Sequence, residues 1–205
     1  MGRPKEHDEE TRAALRAAAE RILAAGGDGA LSVRAVADEA GTTTRAVYSV
    51  FGSKDGLVDA LAQTAFEFLF TVIDALPETD DPAEDLVELG VKSVRRLVLE
   101  HPALYRIAFQ RVVPGLRAGP EVTATRQRAF VQLQDKIRRA EAAGLLGRTS
   151  LADATVAFEG LMEGLANAEL RGSTLPILPP GDEEGAWRRA LATLLRGFHR
   201  TRADA

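Results

Sequence analysis

Gly41 is the residue that most constrains this chain. It separates two short helical patterns within SVRAVADEAGTTTRAVYSVFGSK, residues 32 to 54. In the first pattern Val33, Val36, Ala37 and Ala40 recur at the three- and four-residue spacing of one helical face. Ser32 stands where its hydroxyl can accept an unpaired first-turn amide. Gly41 then permits the positive φ that a tight exit from a helix requires. A second helix restarts at Thr42 or Thr43, either an adequate cap, and Ala46, Val47, Val50 and Phe51 give it an apolar face.

That pattern leaves Thr43, Thr44, Arg45, Tyr48 and Ser49 on the open side. Short hydroxyls, an arginine and a tyrosine are donors that read base edges and hold phosphates in a major groove. The two helices therefore predict a helix-turn-helix whose second helix is the reader. Ser53 caps a long helix predicted from about residue 54 to residue 76, and Lys54 beside its free first-turn amides offers a phosphate seat. A shift at the far end of such a helix would tilt the reader.

Upstream, residues 11 to 25 predict a helix with Leu15, Ala18, Ala19, Ile22 and Leu23 on one stripe, stopped by Gly26, Gly27 and Gly29. Residues 2 to 10 read as a short polar terminus in which Arg3 and Lys5 suit a basic arm. Downstream, the acidic, proline-bracketed stretch from Pro77 to Pro82 is a linker. Helices are predicted at roughly 83–100, 102–111, 121–143, 150–171 and 182–201, with a loop from Val112 to Pro120. No strand-type alternation occurs, so the fold class is all-α.

Ala157, Gly160, Gly164 and Ala168 fall near one face of the 150–171 helix and would let another helix approach closely. The final helix carries Trp187, Leu191, Leu194, Leu195 and Phe198 on a stripe. Both are expected at a subunit interface, since two-fold dimers are the commonest assembly, with core burial within one chain as the alternative for the final-helix stripe.

Composition removes several classes. The 205 residues contain no cysteine, which excludes disulfides and thiol chemistry. His7, His101 and His199 lack ligand spacing, so no metal site is expected and solvated or capping histidines are. There is no nucleophile and base pair and no cofactor loop, which points away from an enzyme and from any cofactor. The charged start lacks the apolar run of a signal peptide, and Phe66 to Ile73 is too short and too charged to span a bilayer. A cytoplasmic protein with no membrane partner is the expectation. The net charge of −4 argues against bulk attraction to nucleic acid, and the first sixty residues carry two more acids than bases. Contact then depends on placement: Arg3, Lys5, Arg34, Arg45 and Lys54 at the contact points, with Glu20, Asp28, Asp38 and Glu39 facing away.

Residues 11 to 61 resemble the tetracycline-repressor-like (TetR) family of bacterial transcription regulators. The match lies in a first helix ending in glycine, then Ser32, Val36-Ala37, Ala40-Gly41, Tyr48, Phe51, Ser53-Lys54 and Leu57 in register. Thr42, where an aliphatic residue is usual, and Val50, where an aromatic or histidine is common, depart from it. The resemblance implies a helix-turn-helix DNA-binding domain over 1–53, joined by the long helix to a helical ligand-binding and dimerisation domain over 54–205. It implies a homodimer through the last two long helices, a near-palindromic double-stranded operator, and release of that operator by a small-molecule effector. Tyr48 and Lys54 would hold phosphates, Ser32 and Arg34 would flank the same backbone, and Thr43, Thr44, Arg45 and Ser49 would face bases. The effector cavity would be lined by Phe66, Phe70, Tyr105, Phe109, Phe130, Phe158 and Met162, with Asn167 as polar anchor.

Overall fold

The computed structural model describes residues 3–110, 119–172, 178–179 and 181–200. Among these there is no strand. The helices are α1 (Arg3–Gly26), α2 (Val33–Glu39), α3 (Thr44–Phe51), α4 (Lys54–Ala75), α5 (Pro82–Leu89), α6 (Arg96–Glu100), α7 (Pro102–Tyr105), α8 (Pro120–Ala142), α9 (Leu151–Leu170) and α10 (Glu183–Arg200). Gly90–Arg95 and Arg106–Gln110 are π-helical turns that continue α5 into α6 and extend α7.

The α-class and the helix positions follow the sequence pattern, with one substantial difference. α1 begins at Arg3, so the segment expected as a loose terminus is helical backbone. Pro4 is tolerated there because the first turn has no carbonyl for its missing N–H to meet. The expected loop at 112–120 lies, up to residue 118, outside the described residues.

Two compact units are defined by their contacts. The first comprises residues 1–67 and 101–126, the second residues 68–100 and 127–205. The contacts around the helix-turn-helix thus extend beyond residue 53, and α4 contributes its first part to one unit and its last two turns to the other. In the first unit, Leu15, Ala18, Ala19 and Leu23 of α1 are buried, as are Val36, Ala37, Val47 and Phe51 of the next two helices and Leu57, Val58 and Leu61 of α4. His101 stands at the N-cap position of α7, a third exposed, with Nδ1 2.5 Å from Glu20 Oε1. The side chains of Arg3, Lys5, His7 and His199 lie outside the described residues.

In the second unit α5, α9 and α10 pack together around Leu86, Val87, Phe158, Met162, Trp187 and Leu191. Of the final-helix stripe expected at a subunit interface, Trp187, Leu191, Leu195 and Phe198 are thus buried within one chain, the alternative reading, and Leu194 is half-buried. Gly90 makes the contact close: a Cβ there would stand 2.6 Å from Leu191 Cδ1. Arg95, half-buried on the π-turn, meets Glu169 of α9 at 3.0 Å and Glu184 of α10 at 3.4 Å, and Trp187 Nε1 donates to Glu169 at 2.7 Å. α4 taken whole is long and apolar enough to cross a membrane, with a mean hydropathy of 1.4 over its best window. Leu57, Leu61, Phe66, Leu69 and Ile73 are nonetheless buried in protein, which is the pattern of a core helix.

Candidate nucleic-acid interface

Three side-chain caps fix the helix starts. Ser32 Oγ accepts the Ala35 amide at 3.1 Å, Thr43 Oγ1 accepts that of Ala46 at 3.2 Å, and Ser53 Oγ accepts that of Gly56 at 3.0 Å. Of the two cap candidates before α3, Thr43 takes the role. Thr42 instead donates its amide to the Ala37 carbonyl at 2.9 Å and completes the turn through Gly41, whose φ is 65°.

α3 presents two faces. Val47 and Phe51 are buried, while Thr44, Arg45, Tyr48 and Ser49 are exposed, Tyr48 by 52%. Lys54 is exposed at the start of α4. Among the described residues, neither Arg45 nor Lys54 makes an ion pair. Three acids nearby have partners, Glu20 with His101, Glu39 with Arg21 at 2.8 Å and Asp38 with Arg34 at 3.8 Å, whereas Asp55 beside Lys54 makes no ion pair among the described residues. Arg34 is 87% exposed and only loosely paired, so its guanidinium can exchange Asp38 for another anion at little cost.

Two residues that the sequence reading passed over brace this surface. Arg12 of α1 donates from Nη2 to the Val50 carbonyl at 3.3 Å and lays its guanidinium 5.4 Å from the Phe51 ring centroid. It holds the C-terminal end of α3 from behind. Gly56 packs its α-carbon so close to the Phe51 carbonyl that a Cβ would overlap that oxygen. A glycine inside the first turn of a long helix was the available signal, since it costs helix propensity and needs a compensating close approach.

The eight residues expected at an effector cavity divide between the two units, three in the first and five in the second. In the first, Phe109 stacks on Tyr105 with centroids 5.0 Å apart and meets Phe66 at 5.5 Å. In the second, Phe158 and Met162 are buried, Phe70 lies under Arg128 at 5.1 Å, and Phe130 and Asn167 are half-buried. None of the eight lines the cavity of about 550 Å3 that the second unit carries between α4, the linker and α5. No group of three or more acidic or histidine side chains able to hold a metal occurs among the described residues.

The fold and this surface define an all-α helix-turn-helix protein with a separate helical unit. Residues 15–61 match the model for bacterial regulatory proteins of the tetR family, and residues 87–194 match that for the tetracyclin repressor-like C-terminal domain. The chain belongs to the TetR family, whose members are regulators and not enzymes. It is similar to the HTH-type transcriptional regulator Rv1816 of Mycobacterium tuberculosis, 28% identical over 127 residues that make up 60% of this chain and 54% of the relative. The match thus spans about half the length of that curated relative. Among solved structures, a Rhodococcus sp. RHA1 protein of unknown function is 25% identical with a TM-score of 0.76, covering 91% of this chain and 94% of its own. The TetR family regulator PfmR of Thermus thermophilus shares the fold at 22% identity and a TM-score of 0.68, covering 89% and 97%.

Proposed function

We propose that the chain is a transcriptional repressor that binds a near-palindromic operator as a homodimer and is released by a small molecule. The observation that carries the DNA-binding part is the exposed face of α3 and the start of α4. There Thr44, Arg45, Tyr48, Ser49 and Lys54 stand together, with both cations unpaired among the described residues and the helix anchored by Val47 and Phe51. Arg45 reads base edges with Thr44 and Ser49, Tyr48 and Lys54 hold phosphates, and Ser32 and Arg34 lie along the same backbone. Thr43, occupied as a cap, contributes by fixing the angle at which α3 starts.

Selection of genomic fragments by the purified protein, followed by salt titration of an enriched site, tests this reading. Affinity should fall steeply with salt because each phosphate contact releases counterions. Arg45→Ala should cost about 1–3 kcal/mol and relax preference at its base position, whereas Lys54→Ala should weaken all sequences alike and lower the salt slope by about 1. Binding unchanged by both substitutions would place the reader elsewhere. Homodimerisation is supported by the outward face of α9, where Val156 is 65% exposed and a Cβ at Gly160 or Gly164 would meet nothing within 4 Å.

A further inference from the structure

Within the second unit, the last two turns of α4, the linker and the α5-to-α6 helix enclose a groove of about 550 Å3. That is within the usual range for small-molecule sites, roughly 300–1,000 Å3. Its two walls differ in chemistry. Val72, Ala75, Leu76 and Pro77 supply an apolar wall, and Glu84, Asp85, Glu88, Lys92 and Arg96 supply a charged one.

The charges on the second wall are not equivalent. Glu84 and Glu88 both accept from Arg188 Nη1, at 3.3 and 2.5 Å. Asp85 accepts from Arg139 Nη1 at 2.7 Å and from the Thr79 hydroxyl at 2.7 Å. Burial pushes its carboxyl upward, but the Thr79 and Arg139 hydrogen bonds outweigh that and hold it below the ordinary aspartate value. Each of the three acids thus has a protein donor, the single Arg188 guanidinium being shared among Glu84, Glu88 and Glu184. Lys92, by contrast, makes no ion pair or hydrogen bond among the described residues. Arg96 gives Nε to Glu100 at 2.6 Å and rests its guanidinium over Phe68, which leaves its Nη groups without an acceptor among those residues. Lys92 is thus the one charged side chain of this wall without a protein partner among the described residues.

The groove is also fastened. Arg139 Nη2 donates to the Thr79 carbonyl at 2.7 Å, and Lys136 holds Glu78 at 2.7 Å, so the linker that closes one end is tied to α8 at two points. A preformed apolar wall facing the unpaired Lys92 and the open Nη edge of Arg96 suits an amphipathic anion. A cationic head would compete with Arg188 or Arg139 for the acids, while a carboxylate meets Lys92 without displacing a protein partner.

We infer that this groove binds a small amphipathic carboxylate, its chain along Val72, Ala75, Leu76 and Pro77 and its head between Lys92 and Arg96. Occupancy bears on α4, the helix whose first residue is Lys54, and any consequence for DNA binding rests on the ligand-responsive reading above.

Calorimetric titration of the full-length protein with decanoate, decanol and decylamine tests the site by itself. Decanoate should bind at least tenfold more tightly than either other probe. Lys92→Glu should weaken decanoate at least tenfold, and Ala75→Trp, which fills the apolar wall from an exposed position, should abolish it while thermal unfolding stays cooperative. The inference is overturned by decylamine binding as well as decanoate, by decanoate affinity indifferent to both substitutions, or by no decanoate binding below its micelle threshold in folded protein. Release of an enriched DNA fragment by decanoate is a separate measurement: binding without release retains the site and removes the ligand-responsive reading for this class of molecule.

Discussion

Asp59 shows how one side chain on α4 can carry a measurable signature. Its two carboxylate oxygens accept the Gly119 amide at 3.3 and 3.1 Å, fastening the residue before α8 within the first unit. Burial raises its pKa, the Gly119 amide opposes that, and the charges of Asp55 and Glu121 raise it further, so the net direction is upward. For an acid whose folded value is raised, the folded state keeps a proton that the unfolded chain has released. The stability it contributes is complete below the unfolded value of about 3.9 and is lost as pH rises through the folded value. At pH 7 the ionised carboxylate is thus a cost. Asp59→Asn keeps a carbonyl for the Gly119 amide and removes the charge. Melting of the variant and the wild type across a pH series should show a higher Tm for the variant at pH 7, the gap closing toward pH 4. A lower Tm for the variant at neutral pH would mean that the charge stabilises the start of α8 after all.

At the scale of elements, the junction of α3 and α4 is where local and non-local information part. Ser32, Thr43, Ser53 and Gly41 were legible because a cap or a positive-φ turn is decided by the residue and its next three neighbours. Val36, Val47 and Phe51 were legible because periodicity alone assigns them inward. Arg12 and Gly56 were not, since their meaning depends on where the carbonyls of Val50 and Phe51 arrive. The π-turn at Gly90 was hidden for the same reason, its partner Leu191 lying a hundred residues on. The groove walls come from three segments whose patterns, taken singly, look like ordinary helix and linker. Gly56 turns this into a prediction. Gly56→Ala would gain helix propensity, but its Cβ must displace the Phe51 backbone, which unlike a side chain cannot swing aside. The overlap should dominate and cost about 1–3 kcal/mol. Urea unfolding should show a lower midpoint at unchanged slope. An unchanged or higher midpoint would show that α3 and α4 separate without penalty.

At the scale of the whole molecule, the question is what covers α9. One of its faces buries Ala154, Phe158, Met162 and Ala166. The opposite one carries Val156 and the backbone exposed at Gly160 and Gly164. Of the residues expected on that small-residue face, Ala157 and Ala168 are half-buried and the two glycines are open. Because a Cβ at Gly160 would meet nothing within 4 Å, the fold of one chain should tolerate a larger residue there. A second copy packed on the same face should not. Gly160→Glu, with a buried unpaired charge imposed on each side of a two-fold contact, is therefore expected to yield monomers while the helical circular dichroism is retained. Light scattering after gel filtration reads the mass directly. Affinity for a two-half-site operator should fall with the dimer, since each half-site alone provides only one reader helix, while binding to an isolated half-site should be little changed. A variant that remains dimeric and binds the operator normally would move the interface off this face of α9.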